Sequence, residues 1–177
     1  EERVTVKVSA DGFIEIYSAT QAMGQGIATS YAQLAVDVFG VSIDKVRIVQ
    51  GDTDRGSGFG SAGSRSIFVG GSAVKVASER TVEKAQALAA EALETAPKDI
   101  EYREGEFRVV GTDRQIGLFE LAAKQSDHQV YVDSTSAVQA PSWPNACHIC
   151  EVEVDPDTGA VEVASYASVN DVGRAIN

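Results

Sequence analysis

Val4, Val6 and Val8 alternate with polar and charged residues, the period-two pattern of a strand with one buried face. Ala10-Asp11-Gly12 interrupts the pattern, and Phe13, Ile14, Ile16 and Tyr17 resume it. This predicts a hairpin closed by an Asp-Gly turn. From Ile27 the period changes. Ile27, Tyr31, Leu34, Ala35 and Val38 recur at the spacing of one face of an amphipathic helix, and Gly40 is a plausible C-terminal cap. Val46, Ile48 and Val49 then read as a short buried strand. Strand, helix and strand in so few residues predict a right-handed parallel crossover. Both strands then release their loops at one edge of the sheet, beyond the carboxyl ends, where ligands of open α/β sheets usually sit.

A long helix is expected from Ser66 to Ala96. Val74, Ala77, Ala85, Leu88, Ala89 and Ala92 form its packing side, and Pro97 stops it. Its start, Gly70-Gly71-Ser72-Ala73, is small enough to let another backbone approach closely. Further on, Ile100-Glu101-Tyr102 and Phe107-Arg108-Val109 flank a turn at residues 103–106. Leu118, Leu121 and Ala122 suggest a short helix ending near Lys124, and Gln129 to Val132 a strand. Cys150, Val152 and Val154 lead into the turn Asp155-Pro156-Asp157-Thr158-Gly159, and Val161, Val163, Ala167 and Val169 return from it. The expected fold is α+β with an α/β-like first half: a mixed β-sheet packed by two main helices, ending in a long C-terminal antiparallel hairpin. Residues 1–177 are expected to form a single domain.

Two loops carry the candidate chemistry. The first, Gln21-Ala22-Met23-Gly24-Gln25-Gly26, puts an amide that donates and accepts between two glycines at the mouth of a helix. The second runs from Gly51 to Ser66 with five glycines and four serines. At one sheet edge, each opening a helix, such loops give backbone N–H groups aimed at a shared space, an anion or phosphate cradle. Ser61, Ser64 and Ser66 add hydroxyls and Arg65 could add a charge; the competing reading makes Ser64 or Ser66 a helix N-cap. Asp52 and Asp54 read as turn residues with solvated carboxylates, and Trp143-Pro144 as loop or core packing. Cys147-His148-Ile149-Cys150 lacks the further ligands a zinc or iron–sulfur site needs, and positions i and i+3 of a strand face opposite ways. His128 and His148 have no nucleophile motif near them. Neither a dinucleotide fingerprint nor a Walker lysine motif is present.

Composition narrows the options. A net charge of -11 argues against a nucleic-acid partner, because such affinity comes from basic residues neutralising phosphates. No apolar run approaches a membrane span. Two cysteines make no disulfide framework, which fits a reducing compartment. The chain starts Glu1-Glu2-Arg3 without methionine and is expected to be a piece of a longer polypeptide.

Met23-Gly24-Gln25-Gly26 and its helix resemble a motif of the xanthine dehydrogenase/aldehyde oxidase family of molybdenum hydroxylases. So do residues 49–54, Gly60-Ser61-Ala62-Gly63-Ser64-Arg65-Ser66, residues 71–74, the stretch 150–159 and Val169-Asn170-Asp171-Val172-Gly173. The resemblance spans nearly the whole chain in order. It implies part of the molybdenum-binding large subunit, within its second cofactor-binding domain. The implied cofactor is molybdopterin with molybdenum, in a plain or cytosine dinucleotide form. Gly24, Gln25 and Gly26 would hold the pterin near the metal, and Ser61, Ala62, Gly63, Ser64 and Ser66 would hold it through N–H groups and hydroxyls. The implied reaction is hydroxylation of an aldehyde or N-heteroaromatic substrate with water as oxygen source. Electrons would leave through 2Fe-2S clusters and FAD on other domains or subunits. The implied partners are the rest of the large subunit and the iron–sulfur and flavin subunits, and the implied compartment is the cytoplasm, with the periplasm left open. The family's glutamate base would lie beyond residue 177, so no catalytic residue and no protein ligand to metal is assigned, and the fragment alone is expected to be inactive. The alternative is a non-catalytic α/β module using its glycine loops for a subunit contact or another phosphorylated ligand.

Overall fold

The computed structural model describes residues 1–55, 58–139, 142–143, 145–173 and 175–176. Gly56 and Ser57 of the second loop, Pro144 of the Trp-Pro pair and Asn177 lie outside them. The chain falls into two compact units, Glu1–Pro141 and Ser142–Asn177.

The first unit is built on a four-stranded sheet in the order β3 (Val46–Val49), β2 (Ile14–Ser18), β1 (Glu2–Ser9), β7 (Gln129–Ser136). β1 (Glu2–Ser9) pairs antiparallel with β2 (Ile14–Ser18) through the expected tight turn, where the Ser9 amide donates to the Phe13 carbonyl at 3.0 Å. α1 (Ile27–Phe39) follows, and β3 (Val46–Val49) returns parallel to β2, with Ile14 facing Val46 and Tyr17 facing Val49. The sheet is therefore mixed, as its apolar spacing predicts. α1 ends at Gly40, whose φ of 63° is left-handed and whose amide reaches the Val36 carbonyl at 2.8 Å. Its buried face is Ile27, Tyr31, Ala32, Ala35 and Phe39. Leu34 and Val38 are only half-buried, so the final turn packs Phe39 where the spacing favoured Val38.

The long helix differs at both ends from its expected bounds. Residues Ser66–Gly71 form a π-turn, and only Ser72–Ala92 is α-helix, here α2. Val74, Ala77, Ala85 and Ala89 are buried as expected, Leu88 is partly buried and Ala92 is exposed. The glycines that end the π-turn have a packing cause. A Cβ on Gly70 would stand 2.0 Å from the Tyr31 hydroxyl and one on Gly71 3.0 Å from Leu34 Cδ1. The small residues thus admit the side chains of α1 rather than a second backbone.

A second sheet, β4-β5-β6, packs beside α2. β4 (Ile100–Arg103) and β5 (Glu106–Val109) are joined by Glu104 and Gly105, both left-handed, the conformation a two-residue hairpin turn demands. β6 (Gln115–Gly117) was not foreseen: three residues are too few to show a period. α3 (Leu118–Lys124) and β7 (Gln129–Ser136) complete the unit, β7 running four residues beyond the expected Val132. One core of valines, isoleucines and alanines joins the sheet to the three helices, closed by Tyr31, Phe39, Phe107, Leu118 and Leu121. Each large side chain in it contributes roughly 1.5–3 kcal/mol.

The second unit is the antiparallel hairpin of β8 (Asn145–Val154) and β9 (Val161–Asp171), with a register shift at Glu151/Val152. Its turn is held by Asp155, whose carboxylate accepts from the amides of Asp157 (2.8 Å) and Thr158 (3.0 Å). Cys147 and Cys150 are free and exposed, and Trp143 is exposed rather than packed. No helix among the described residues is long and apolar enough to cross a membrane.

Candidate functional site

Because β2 and β3 are parallel neighbours, their loops leave the sheet at the same edge. The first spans residues 19–26 and the second 50–65. They are in direct contact. The Ser61 hydroxyl donates to the Gln21 carbonyl at 2.8 Å, and Gln50 Nε2 donates to the Thr20 carbonyl. Gly58 lies against Ala19, where an added Cβ would come within 2.5 Å of the Ala19 methyl.

The Gln25 amide is turned into its own loop. Nε2 donates to the Gln21 carbonyl at 3.2 Å and Oε1 accepts from the Met23 amide. The Gln21 carbonyl therefore holds both Ser61 and Gln25. A carboxamide has two N–H donors and two acceptor positions, so Gln25 keeps one of each for a ligand. Residues 21–26 are exposed throughout.

Among the serines, the expected N-cap role is not realised: no side chain caps the π-turn or α2. Ser66 Oγ instead donates to Ser61 Oγ at 3.1 Å, and Ser61 passes its own proton to Gln21. Both hydroxyl protons are thus committed inside the protein. Ser64 is different. It is exposed, left-handed with φ 59°, and its hydroxyl has no protein partner among the described residues. Ala62 and Gly63 flank it on the exposed rim, and the Arg65 amide closes the turn onto the Ala62 carbonyl at 3.2 Å.

Arg65 does not offer its charge to the cradle. Its guanidinium is paired with Glu2 at 2.7 Å and bonds the Gly60 carbonyl at 2.6 Å. Glu2 is a buried partner of the second loop that the sequence hid. It alternates in register with Val4 and Val6, and its partner lies 63 residues away. Tyr31 anchors the base of the second loop, donating to the Ser66 carbonyl at 2.6 Å. Burial raises its phenol pKa above the usual value. Asp52 and Asp54 behave as turn residues, with the Asp54 amide on the Asp52 carboxylate at 3.1 Å.

The rim is thus lined by neutral donors. Gly24, Gly26, Gly60 and Gly63 all have positive φ, and a Cβ on any of them would meet no atom within 4 Å. Here the glycines are needed for conformation, and the space above them is open to a ligand. Gly26 caps α1 with no side-chain bond, and no acidic residue stands in the helix's first turn, so its leading N–H groups are left for an anionic or polar guest. The donor set suits an extended heterocycle with carbonyl, ring-nitrogen and phosphate acceptors.

The family model described as molybdopterin cofactor-binding domain matches residues 1–177. Subunit gamma of the 6-hydroxypseudooxynicotine dehydrogenase complex of Paenarthrobacter nicotinovorans is 35% identical over 182 residues, 97% of this chain and 23% of that protein. The large subunit of nicotine 6-hydroxylase from the same organism is 31% identical over 193 residues, covering 99% of this chain and 23% of its own length. The crystal structure of Cu,Mo-CO dehydrogenase superposes with a TM-score of 0.82 at 29% identity, over 99% of this chain and 23% of that one. The chain therefore spans less than a quarter of the length of these relatives.

Proposed function

The chain belongs to the molybdopterin cofactor-binding domain family of molybdenum hydroxylase large subunits, and from that premise we propose that residues 20–26 and 58–66 form one wall of the pterin site. The chain is then one part of the second cofactor-binding domain of a longer polypeptide. The observation that carries this is the shared Gln21 carbonyl: by accepting from Ser61 and Gln25 together, it ties the second loop to the bond that places Gln25. Gln25 offers its remaining N–H and acceptor position to the cofactor near the metal. Gly24 and Gly26 let the backbone reach it. Ala62, Gly63 and Ser64 present amides, and Ser64 its unused hydroxyl. Ser61 and Ser66 hold the rim from beneath, and Ser61 keeps a lone pair for a ligand donor.

When bound, the cofactor supplies the two-electron redox chemistry of a hydroxylation that takes its oxygen from water. The residues of this chain bind and orient it and carry no proton for the reaction. The substrate class is an aldehyde or an N-heteroaromatic, and the relative named for nicotine 6-hydroxylation favours the second. Relatives named as subunits of larger assemblies support partner subunits; in this reading those partners carry the iron–sulfur and flavin groups that take the electrons. The full-length polypeptide with its partner subunits tests the reading. It is expected to carry pterin and molybdenum, and the Ser64→Ala and Gln25→Ala variants to carry less pterin or turn over more slowly. A wild-type protein purified with neither pterin nor molybdenum overturns it.

A further inference from the structure

Beneath the rim the two loops share another tie. Glu2 opens β1 on the core-facing side with Val4, Val6 and Val8, and its side chain is 1% exposed. Its carboxylate oxygens are divided between the loops. Oε2 accepts from Arg65 Nη2 at 2.7 Å, and Oε1 accepts from the Thr20 hydroxyl at 3.3 Å. Thr20 leads into the first loop; Arg65 ends the second. Arg65 also donates to the Gly60 carbonyl at 2.6 Å and, at 3.4 Å, to the Glu1 carbonyl, and its guanidinium stands 5.3 Å from the Phe59 ring centre. A buried ion pair is a poor source of stability, since apolar residues of similar volume often replace one without loss. What such a pair supplies well is fixed geometry.

We propose that Glu2 is a positioning residue for the cofactor site: one buried carboxylate that sets the spacing of the two loops, through Arg65 on one oxygen and Thr20 on the other. This rests on the reading of the loops as the pterin wall. Glu2 does not touch the cofactor. It fixes the base of the serine loop below Ser61 and Ser64 and the base of the glutamine loop below Gln25. Loss of the bridge frees both bases at once.

The test is the double variant Glu2→Leu/Arg65→Met in the full-length polypeptide, which removes the bridge without leaving a buried charge unpaired. Its melting temperature is expected to stay near that of the wild type. In the cofactor-free protein, exchange of the hydrogen-bonded loop amides, those of Thr20 and Met23 in the first loop and of residue 65 in the second, is expected to quicken together, by up to about tenfold, the factor for losing about one net hydrogen bond of local stability. Pterin occupancy after loading falls in parallel. Should the double variant fold poorly, Glu2→Gln keeps one oxygen for Arg65 and turns its amide N–H to the Thr20 hydroxyl, which can accept, so both ties persist without the charge, and a smaller rise in both loops is expected. Exchange at the wild-type rate, or a rise confined to one loop, overturns the proposal. The exchange readout needs no cofactor, so a wild-type protein that carries no pterin defeats the site reading alone and leaves this coupling to be decided on its own.

Discussion

The Ser61 hydroxyl spans the gap between the two loops to reach the Gln21 carbonyl, 40 residues back in the chain, at 2.8 Å. Behind it Ser66 Oγ donates to Ser61 Oγ. The order of donors makes the two serines unequal. Ser61→Ala breaks the loop-to-loop bond and strands the Ser66 donor, whereas Ser66→Ala leaves the bond to Gln21 intact. Ser61→Ala is expected to cost about 1 kcal/mol, lowering the domain's melting temperature by roughly 2–4 °C, with a clear drop in pterin content. Ser66→Ala is expected to do about half as much or less. Calorimetry and pterin fluorescence check this, and equal effects from the two variants would remove the asymmetry.

Gln25 lies within its own exposed loop, and among the described residues its side chain bonds only Gln21 and Met23. Gln25→Ala is therefore expected to shift stability by no more than about 0.5 kcal/mol, the usual range for exposed positions. In the loaded enzyme it is expected to lower turnover on the order of 10–100-fold, as when a group supporting a metal centre is removed. Steady-state kinetics beside a melting curve separates the two effects. Wild-type turnover in this variant refutes the role given to Gln25.

Gly63 in the second loop and Gly70 in the π-turn after it are both needed as glycine, but for different reasons. Gly63 has φ 54° with open space around it; a Cβ on Gly70 would strike the Tyr31 hydroxyl at 2.0 Å and the Thr20 hydroxyl at 3.0 Å. Gly63→Ala costs only the left-handed conformation, roughly 1–2 kcal/mol, and Gly63→Asn less, because asparagine tolerates that region. Gly70→Ala is an overpacking change of roughly 1–3 kcal/mol, and asparagine there is worse than alanine. Chemical denaturation of the four variants checks the crossover, and the same order at both positions would contradict it.

These contrasts show which parts of the molecule were legible beforehand. The alternation of Val4, Val6 and Val8 and the four-residue ladder from Ile27 gave the sheet edge, and with it the meeting of the loops, because local period determines which face is buried. The π-turn at Ser66–Gly71 was not legible, since it packs Gly70 against Tyr31, a contact 39 residues distant that no local period encodes. Glu2 escaped for the same reason. A lone acid at a strand start looks solvated until its partner is known, and Arg65 was read as facing a ligand when it faces Glu2. Ser64 was legible as a polar position in the glycine-rich loop, whereas its difference from Ser61 and Ser66 depended on where each hydroxyl proton goes.

One buried and one half-buried phenol give the domain an alkaline limit. The Tyr102 hydroxyl donates to the Phe39 carbonyl at 2.7 Å, tying the second sheet to the end of α1. Burial pushes its pKa well above the usual value of about 10, and the nearby Glu106 charge pushes the same way. Tyr31 is raised chiefly by burial as well. Where the folded pKa is the higher one, the unfolded chain releases its proton first. Stability is then fully present below the unfolded value and falls as pH rises above about 10. Tyr102→Phe is expected to be less stable at neutral pH by about 1 kcal/mol for the lost hydrogen bond, yet to lose less on going from pH about 9 to about 11. Urea midpoints for the wild type and variant across that range are expected to converge. Parallel curves would mean that Tyr102 ionises alike in the folded and unfolded chains, and that its burial does not couple the second sheet to pH.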